Sequence, residues 1–224
     1  MAKTVKHDDL KSLWGSEDLL EVAQNRSFAG VIFELLSEKV PTEEQLKVFE
    51  LILNLSIDHG AETPSATKVI ESAKNGGTIS EAVASGILEI NDTHGGAIEP
   101  AMEVLYKIKS SKLKVQSLVE EYLKEDKRLP GFGHRIYKEV DPRAELILKK
   151  LVESGFSDEF AKIGREIEVA LESQKGQKLV LNIDGAIAVV LCTFGWEARL
   201  GKAVFLIART PGLCAHFLNS TTTI

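Results

Sequence analysis

Apolar residues along this chain recur at intervals of three and four far more often than at every second position, so the pattern predicts helices and almost no strands. Thr42 and Gln45 are spaced as a capping box, and the stretch EEQLKVFELILNLSI that follows puts Leu46, Phe49, Ile52 and Leu53 on one helical face. Asp141 followed by Pro142 reads as an N-cap and first-turn proline, starting a helix that runs through Leu151 and closes near Gly155. In SDEFAKIGREIEVALESQKG, Phe160, Ile163, Ile167 and Leu171 share a face, and Gly176 ends the helix. KLVLNIDGAIAVVLCTFGW is apolar throughout; its start fits a short strand, while its length favours a buried helix. The expected fold class is mostly α, with no repeat, low-complexity segment or long linker.

With 224 residues the chain makes one large domain or two small ones, enough to bury a core. A net charge of -6 argues against a nucleic-acid partner, although it leaves room for a local basic pocket. No apolar run reaches the roughly 18 residues of a membrane span, and MAKTVKHDDLKSLW has no signal-peptide core, so a cytoplasmic protein with no membrane partner is expected. Cys192 and Cys214 lie in apolar segments without metal-ligand spacing, which fits buried free thiols better than a disulfide.

The polar residues narrow the chemistry. His59 (SIDHG), His94 (NDTHGG) and His134 (PGFGH) each sit beside glycine where a loop meets a helix, whereas His7 reads as a surface residue and His216 as a hydrogen-bonded structural histidine. The stretch LPGFGHRIYKEVDPR either is a tight loop with an incidental histidine or presents His134 to a ligand. Spacings of 35 and 40 residues between the three histidines are no metal signature, and no metal is expected. Asp184 is set between long apolar runs, and two readings stand: the N-cap of a buried helix, or a carboxyl whose pKa desolvation raises. Arg209 ends an apolar run and needs an anion, either a protein carboxylate or a substrate carboxylate. Three imidazoles, one carboxyl and two arginines (Arg143 and Arg209) suit chemistry on a small polycarboxylate. Phosphate-cradling glycine motifs and an acyl-transfer serine motif are missing from the sequence.

HGG (94–96), PGFGHRIYKEVDPR (130–143), NIDG (182–185) and ARTPGLCAH (208–216) occur in the order and spacing of the citrate synthase superfamily, which the chain resembles over roughly residues 50 to 217. DHG (58–60), HGGAIE (94–99) and NIDG resemble most the citryl-CoA lyase branch, which includes the citrate-synthase-like module of ATP-citrate lyase. Ordinary citrate synthases are longer, and usually carry another residue at the position of Gly185. They also commonly donate a further arginine from the partner's C-terminal region, so the resemblance implies that this contact is missing or replaced here.

The resemblance implies a two-domain, all-α fold of reduced size. Its large dimerisation domain would hold residues 1–96 and 194–224, and its small closing domain 97–193. It implies that His94 stabilises the enol of acetyl-CoA, that Asp184 exchanges a proton with the acetyl methyl, and that His134 acts on the oxaloacetate carbonyl, taking the hydroxyl proton in the reverse direction. His59, Arg143 and Arg209 would hold substrate carboxylates, and Pro130, Gly131, Phe132 and Gly133 would meet coenzyme A, with Lys138 a weaker phosphate candidate. The implied activity is cleavage of citryl-CoA to acetyl-CoA and oxaloacetate by a homodimer or higher homo-oligomer. No cofactor is tightly bound, the coenzyme A thioester is the substrate, and a separate enzyme makes citryl-CoA. The alternatives are a short citrate synthase and a non-catalytic CoA-binding subunit.

Overall fold

The computed structural model describes residues 3–7, 11–91, 96–111 and 114–222. They fall into two compact units, Met1–Leu51 and Ile52–Ile224.

The first unit opens with a small antiparallel sheet in the order β1 (Val5–His7), β2 (Ser12–Trp14), β3 (Glu17–Asp18), with Val5 opposite Trp14 and His7 opposite Ser12. Helical periodicity gives no hint of these strands, and two or three residues are too few for alternation to register. His7 is exposed, as expected. Helix α1 (Leu19–Asn25) is capped by Asp18, and α2 (Phe28–Ser37) by Ser27, each side chain accepting a first-turn N–H. Helix α3 (Glu43–Ser56) begins at the expected capping box, with Gln45 N donating to Thr42 Oγ1 at 3.1 Å and Thr42 N to Gln45 Oε1 at 3.0 Å. Phe33 and Phe49 meet edge to face, with centroids 5.3 Å apart. Beside them Glu34 is buried, accepting from Trp14 Nε1 (3.1 Å), Lys3 Nζ (3.1 Å) and Arg26 NH1 (2.6 Å to one oxygen, 2.7 Å to the other).

The second unit is helical. Helices α4 (Pro64–Lys74) and α5 (Ile79–Leu88) pack on each other and on the last helix, α11 (Leu200–Thr221), around Val69, Ala82 and Leu213. Helices α6 (Ile98–Ser111), α8 (Pro142–Glu153) and α9 (Glu159–Lys175) surround α10 (Ile183–Thr193), and α7 (Val115–Lys124) packs on α9. Every residue of α10 from Gly185 to Cys192 is buried, which is why its sequence shows no polar face. Asp141 caps α8 with Pro142 in its first turn, and Gly176, at φ 63°, closes α9, both as the sequence predicts. Cys192 and Cys214 are both free.

The ambiguous start of KLVLNIDG turns out to be both things in succession. Residues 180–182 pair with the glycine loop: Gly133 N donates to Val180 O at 2.7 Å, Asn182 N donates to Gly131 O at 3.0 Å, and Phe132 bridges Leu181. The helix then begins at Ile183. Gly131, at φ 83°, and Gly185 press backbone against backbone. A Cβ on Gly185 would lie 2.4 Å from Gly131 O, and one on Gly131 would lie 2.8 Å from Gly185 Cα. Gly131 thus lies against the first turn of α10.

Candidate active site

Five of the residues that the sequence singles out meet in one cleft of about 730 Å³ within the second unit: His59, His134, Arg143, Asp184 and Arg209. Phe132, Gly133 and Lys138 also line it, whereas Pro130 and Gly131 do not. His94 lies outside the described residues. Lys127, Arg128, Arg135 and Lys175 make the rim basic, in a chain that is acidic as a whole.

Asp141 is the hub on which the site is built. Its side chain is fully buried and accepts from Arg143 three times, from the backbone N (3.0 Å), Nε (3.0 Å) and NH2 (2.8 Å). Its second oxygen also takes Ile183 N at 3.2 Å, tying the first turn of α10 to the base of α8. Burial alone would raise the Asp141 pKa, but the Arg143 hydrogen bonds and charge hold it below the ordinary value. From the sequence Asp141 reads only as a cap, because nothing local marks that one carboxylate serves two helices.

Held this way, Arg143 reaches two imidazoles, placing NH1 3.0 Å from His59 Nδ1 and NH2 3.0 Å from His134 Nε2. His134 Nδ1 already accepts the backbone N–H of Ile136 (3.0 Å) and Tyr137 (3.1 Å), so that nitrogen carries no proton. Burial and the nearby Arg143 lower the pKa of His134 and favour the neutral ring. Nε2 is then the ring nitrogen that faces Arg143 NH2, 3.0 Å away, and its donor or acceptor role there follows the tautomer. Tyr137, which the sequence reading passed over, stacks on His134 with centroids 4.7 Å apart, and Arg143 lies 5.3 Å from the Tyr137 ring centre.

Asp184 does not cap α10. Asn182 does, its side chain accepting Gly185 N at 3.1 Å while its amide donates to Gly133 O at 2.9 Å. Asp184 stands in the first turn and faces the cleft. Its carboxyl accepts no hydrogen bond from any described residue, and burial pushes its pKa up to about 6 against the opposing pull of Arg209 and Arg143. Arg209 is buried, donates Nε to Ser56 O at 2.8 Å, and rests on Phe205, whose ring centre is 4.7 Å away. Burial lowers its pKa, with Asp58 and Asp184 pulling the other way. Of the two partners foreseen for Arg209, no described carboxylate forms an ion pair with it, so its fork faces the cleft. Lys138 sits at the mouth, donating Nζ to His134 O at 3.0 Å. Among the described residues no cluster of His, Cys, Asp or Glu could hold a metal ion.

A carboxyl raised to about 6, a histidine and two arginines line one cleft, a set that suits moving a proton on an anionic, carboxylate-bearing molecule. The family model for the C-terminal domain of citrate synthase matches residues 5–223, and the chain belongs to that family. It is 35% identical over 207 residues to a citrate synthase of Synechocystis sp., covering 89% of this chain and 51% of that protein. It thus spans about half the length of the curated citrate synthases it matches. Its fold superimposes on the structure of a citryl-CoA lyase from Hydrogenobacter thermophilus with a TM-score of 0.92 and 38% identity, covering 100% of this chain and 87% of that one. It also superimposes on ATP citrate lyase from Methanothrix soehngenii, solved with citrate and coenzyme A, with a TM-score of 0.86 and 25% identity over 98% of this chain and 38% of that one. The all-α expectation holds, as does the likeness to the lyase branch.

Proposed function

We propose that this protein is a citryl-CoA lyase, cleaving citryl-CoA to acetyl-CoA and oxaloacetate. The observation that carries the reading is Asp184, a carboxyl raised to about 6 and open to a cleft that also presents His59, His134, Arg143 and Arg209. An acid of that strength gives up its proton near neutrality. Arg143, Arg209 and His59 hold the carboxylates of the citryl group, and His134 Nε2–H meets the tertiary oxygen. As the carbon–carbon bond breaks, that oxygen becomes the ketone of oxaloacetate, and the electron pair passes to the thioester as its enolate. Asp184 protonates the enolate carbon, making the acetyl methyl. The hydroxyl proton leaves to water as the ketone forms and Asp184 regains a proton from water, so none is consumed over the cycle. His94 is the candidate donor to the enolate oxygen. Loss of one such donor costs about 100- to 1,000-fold in rate. The basic rim, with Lys138, suits the phosphates of coenzyme A. Residues 97–193 would close over the substrate, and two copies would form the working dimer.

The Synechocystis relative supports a second reading, a short citrate synthase that runs the same bond in the opposite direction and then hydrolyses the thioester. Incubating the purified protein with citryl-CoA separates the two. Oxaloacetate and acetyl-CoA are the expected products, and free citrate with coenzyme A in their place would sink the lyase.

A further inference from the structure

One face of α11 holds three consecutive residues just before the loop histidine. Arg209 donates Nε to Ser56 O at 2.8 Å. Gly212 lies flush on the next carbonyl, since a Cβ there would come within 2.2 Å of Ile57 O. His216 Nε2 meets Asp58 Oδ1 at 2.8 Å. Residues 209, 212 and 216 are three and four apart, the spacing that puts side chains on one side of a helix. Asp58 passes the grip onward, because its other oxygen accepts Gly60 N at 3.3 Å and so closes the turn around His59. The helix that supplies Arg209 to the cleft thus also sets the loop that supplies His59.

We infer that His216 is a positioning residue. Through Asp58 it holds His59 at the distance from Arg143 at which both can grip one substrate carboxylate. The inference rests on the reading of this cleft as the citryl-CoA site. Among the described residues the His216 side chain is hydrogen-bonded to Asp58; it is 14% exposed and does not line the cavity. The Asp58 carboxylate fits its part. Burial would raise its pKa, yet the hydrogen bonds from His216 and from the backbone of His59 and Gly60 keep it below the ordinary value, as a fixed acceptor. Supporting groups of this kind decide whether a site is held in working geometry or is slightly too loose to bind well.

The test compares His216→Phe, which keeps a ring but loses the donor, with His216→Gln, whose amide N–H can replace it. In the Phe variant, backbone amides of residues 58–60 should exchange faster than in wild type while the rest of α11 is unchanged. KM for citryl-CoA should rise about tenfold with kcat within about threefold, the signature of lost binding common to ground and transition states. The Gln variant should recover most of the KM. Unchanged exchange at 58–60 in the Phe variant would overturn the clasp, with or without an assay. Faster exchange with an unchanged KM, or a Gln variant that restores folding but not KM, would reduce His216 to a structural residue. If the wild-type protein does not cleave citryl-CoA, the proposed activity fails, and the exchange measurement still decides whether His216 sets the loop.

Discussion

Two carboxyl groups contrast, the buried Glu34 of the first unit and the half-buried Asp184 of the second, which opens on the cleft. Glu34, on α2, meets the indole of Trp14, the ammonium of Lys3 and the guanidinium of Arg26, so its oxygens are fully occupied. Asp184, on α10, has two arginines in its field but no hydrogen bond from any described residue. Burying a carboxyl without partners is costly, and folding alone gives no reason to keep one. The difference marks which carboxyl serves the fold and which is kept for a ligand. It also explains why Asp184 titrates near neutrality, since desolvation is left unopposed by donors.

Asp184→Asn is the sharpest way to break that contrast. The variant should fold, because Asn182 and not Asp184 caps the helix, and it should lose about 100- to 10,000-fold in citryl-CoA turnover. Exchange of acetyl-CoA methyl protons with deuterated water should fall with it. Near-normal rates in both assays would remove Asp184 from the chemistry. Glu34→Ala should do the reverse. Arg26 and Lys3 would keep Glu17 as a partner but lose the buried carboxylate, so the free energy of unfolding in urea should fall by about 3 kcal/mol, the low end for breaking a buried pair. A loss below about 1 kcal/mol would show that the network is as dispensable as an exposed one.

Gly185→Ala probes the support of Asp184. Its new methyl would press on Gly131 O, so stability should fall by about 1–3 kcal/mol, with a rise in KM as the loop bearing His134 moves away. Denaturation and steady-state kinetics read the two parts separately. A further effect is expected in pH. The folded value of about 6 for Asp184 lies above the ordinary 3.8, so as pH rises the unfolded chain releases this proton first. Its contribution to stability is complete below pH 3.8, declines through the window up to about 6, and stays flat above it. Urea melts from pH 4 to 7 should show this decline in wild type and not in Asp184→Asn. In the lyase direction, where Asp184 must be protonated, activity should also fall as pH rises past about 6.

Much of the molecule can be read from the chain alone, because the signals are local. The capping box at Thr42 and Gln45, the Asp141–Pro142 start of α8 and the Gly176 end of α9 each depend on atoms within one helical turn. The motifs around His59, His134, Arg143, Asp184 and Arg209 were equally visible, because unusual residues in apolar or glycine-rich settings stand out one at a time. What tertiary structure alone decided are the pairings between distant segments. Asn182 rather than Asp184 caps α10 because the strand-like pairing of residues 180–182 with the glycine loop fixes where the helix begins. Gly131 is a glycine because Gly185 lies against it, Asp141 ties α8 to α10, and His216 reaches Asp58 across 158 positions of sequence. The small sheet at the N-terminus was missed for a related reason, since strands of two and three residues are defined by their neighbours and not by their own periodicity. A local pattern shows which element a residue enters, and only the packed chain shows what that residue touches.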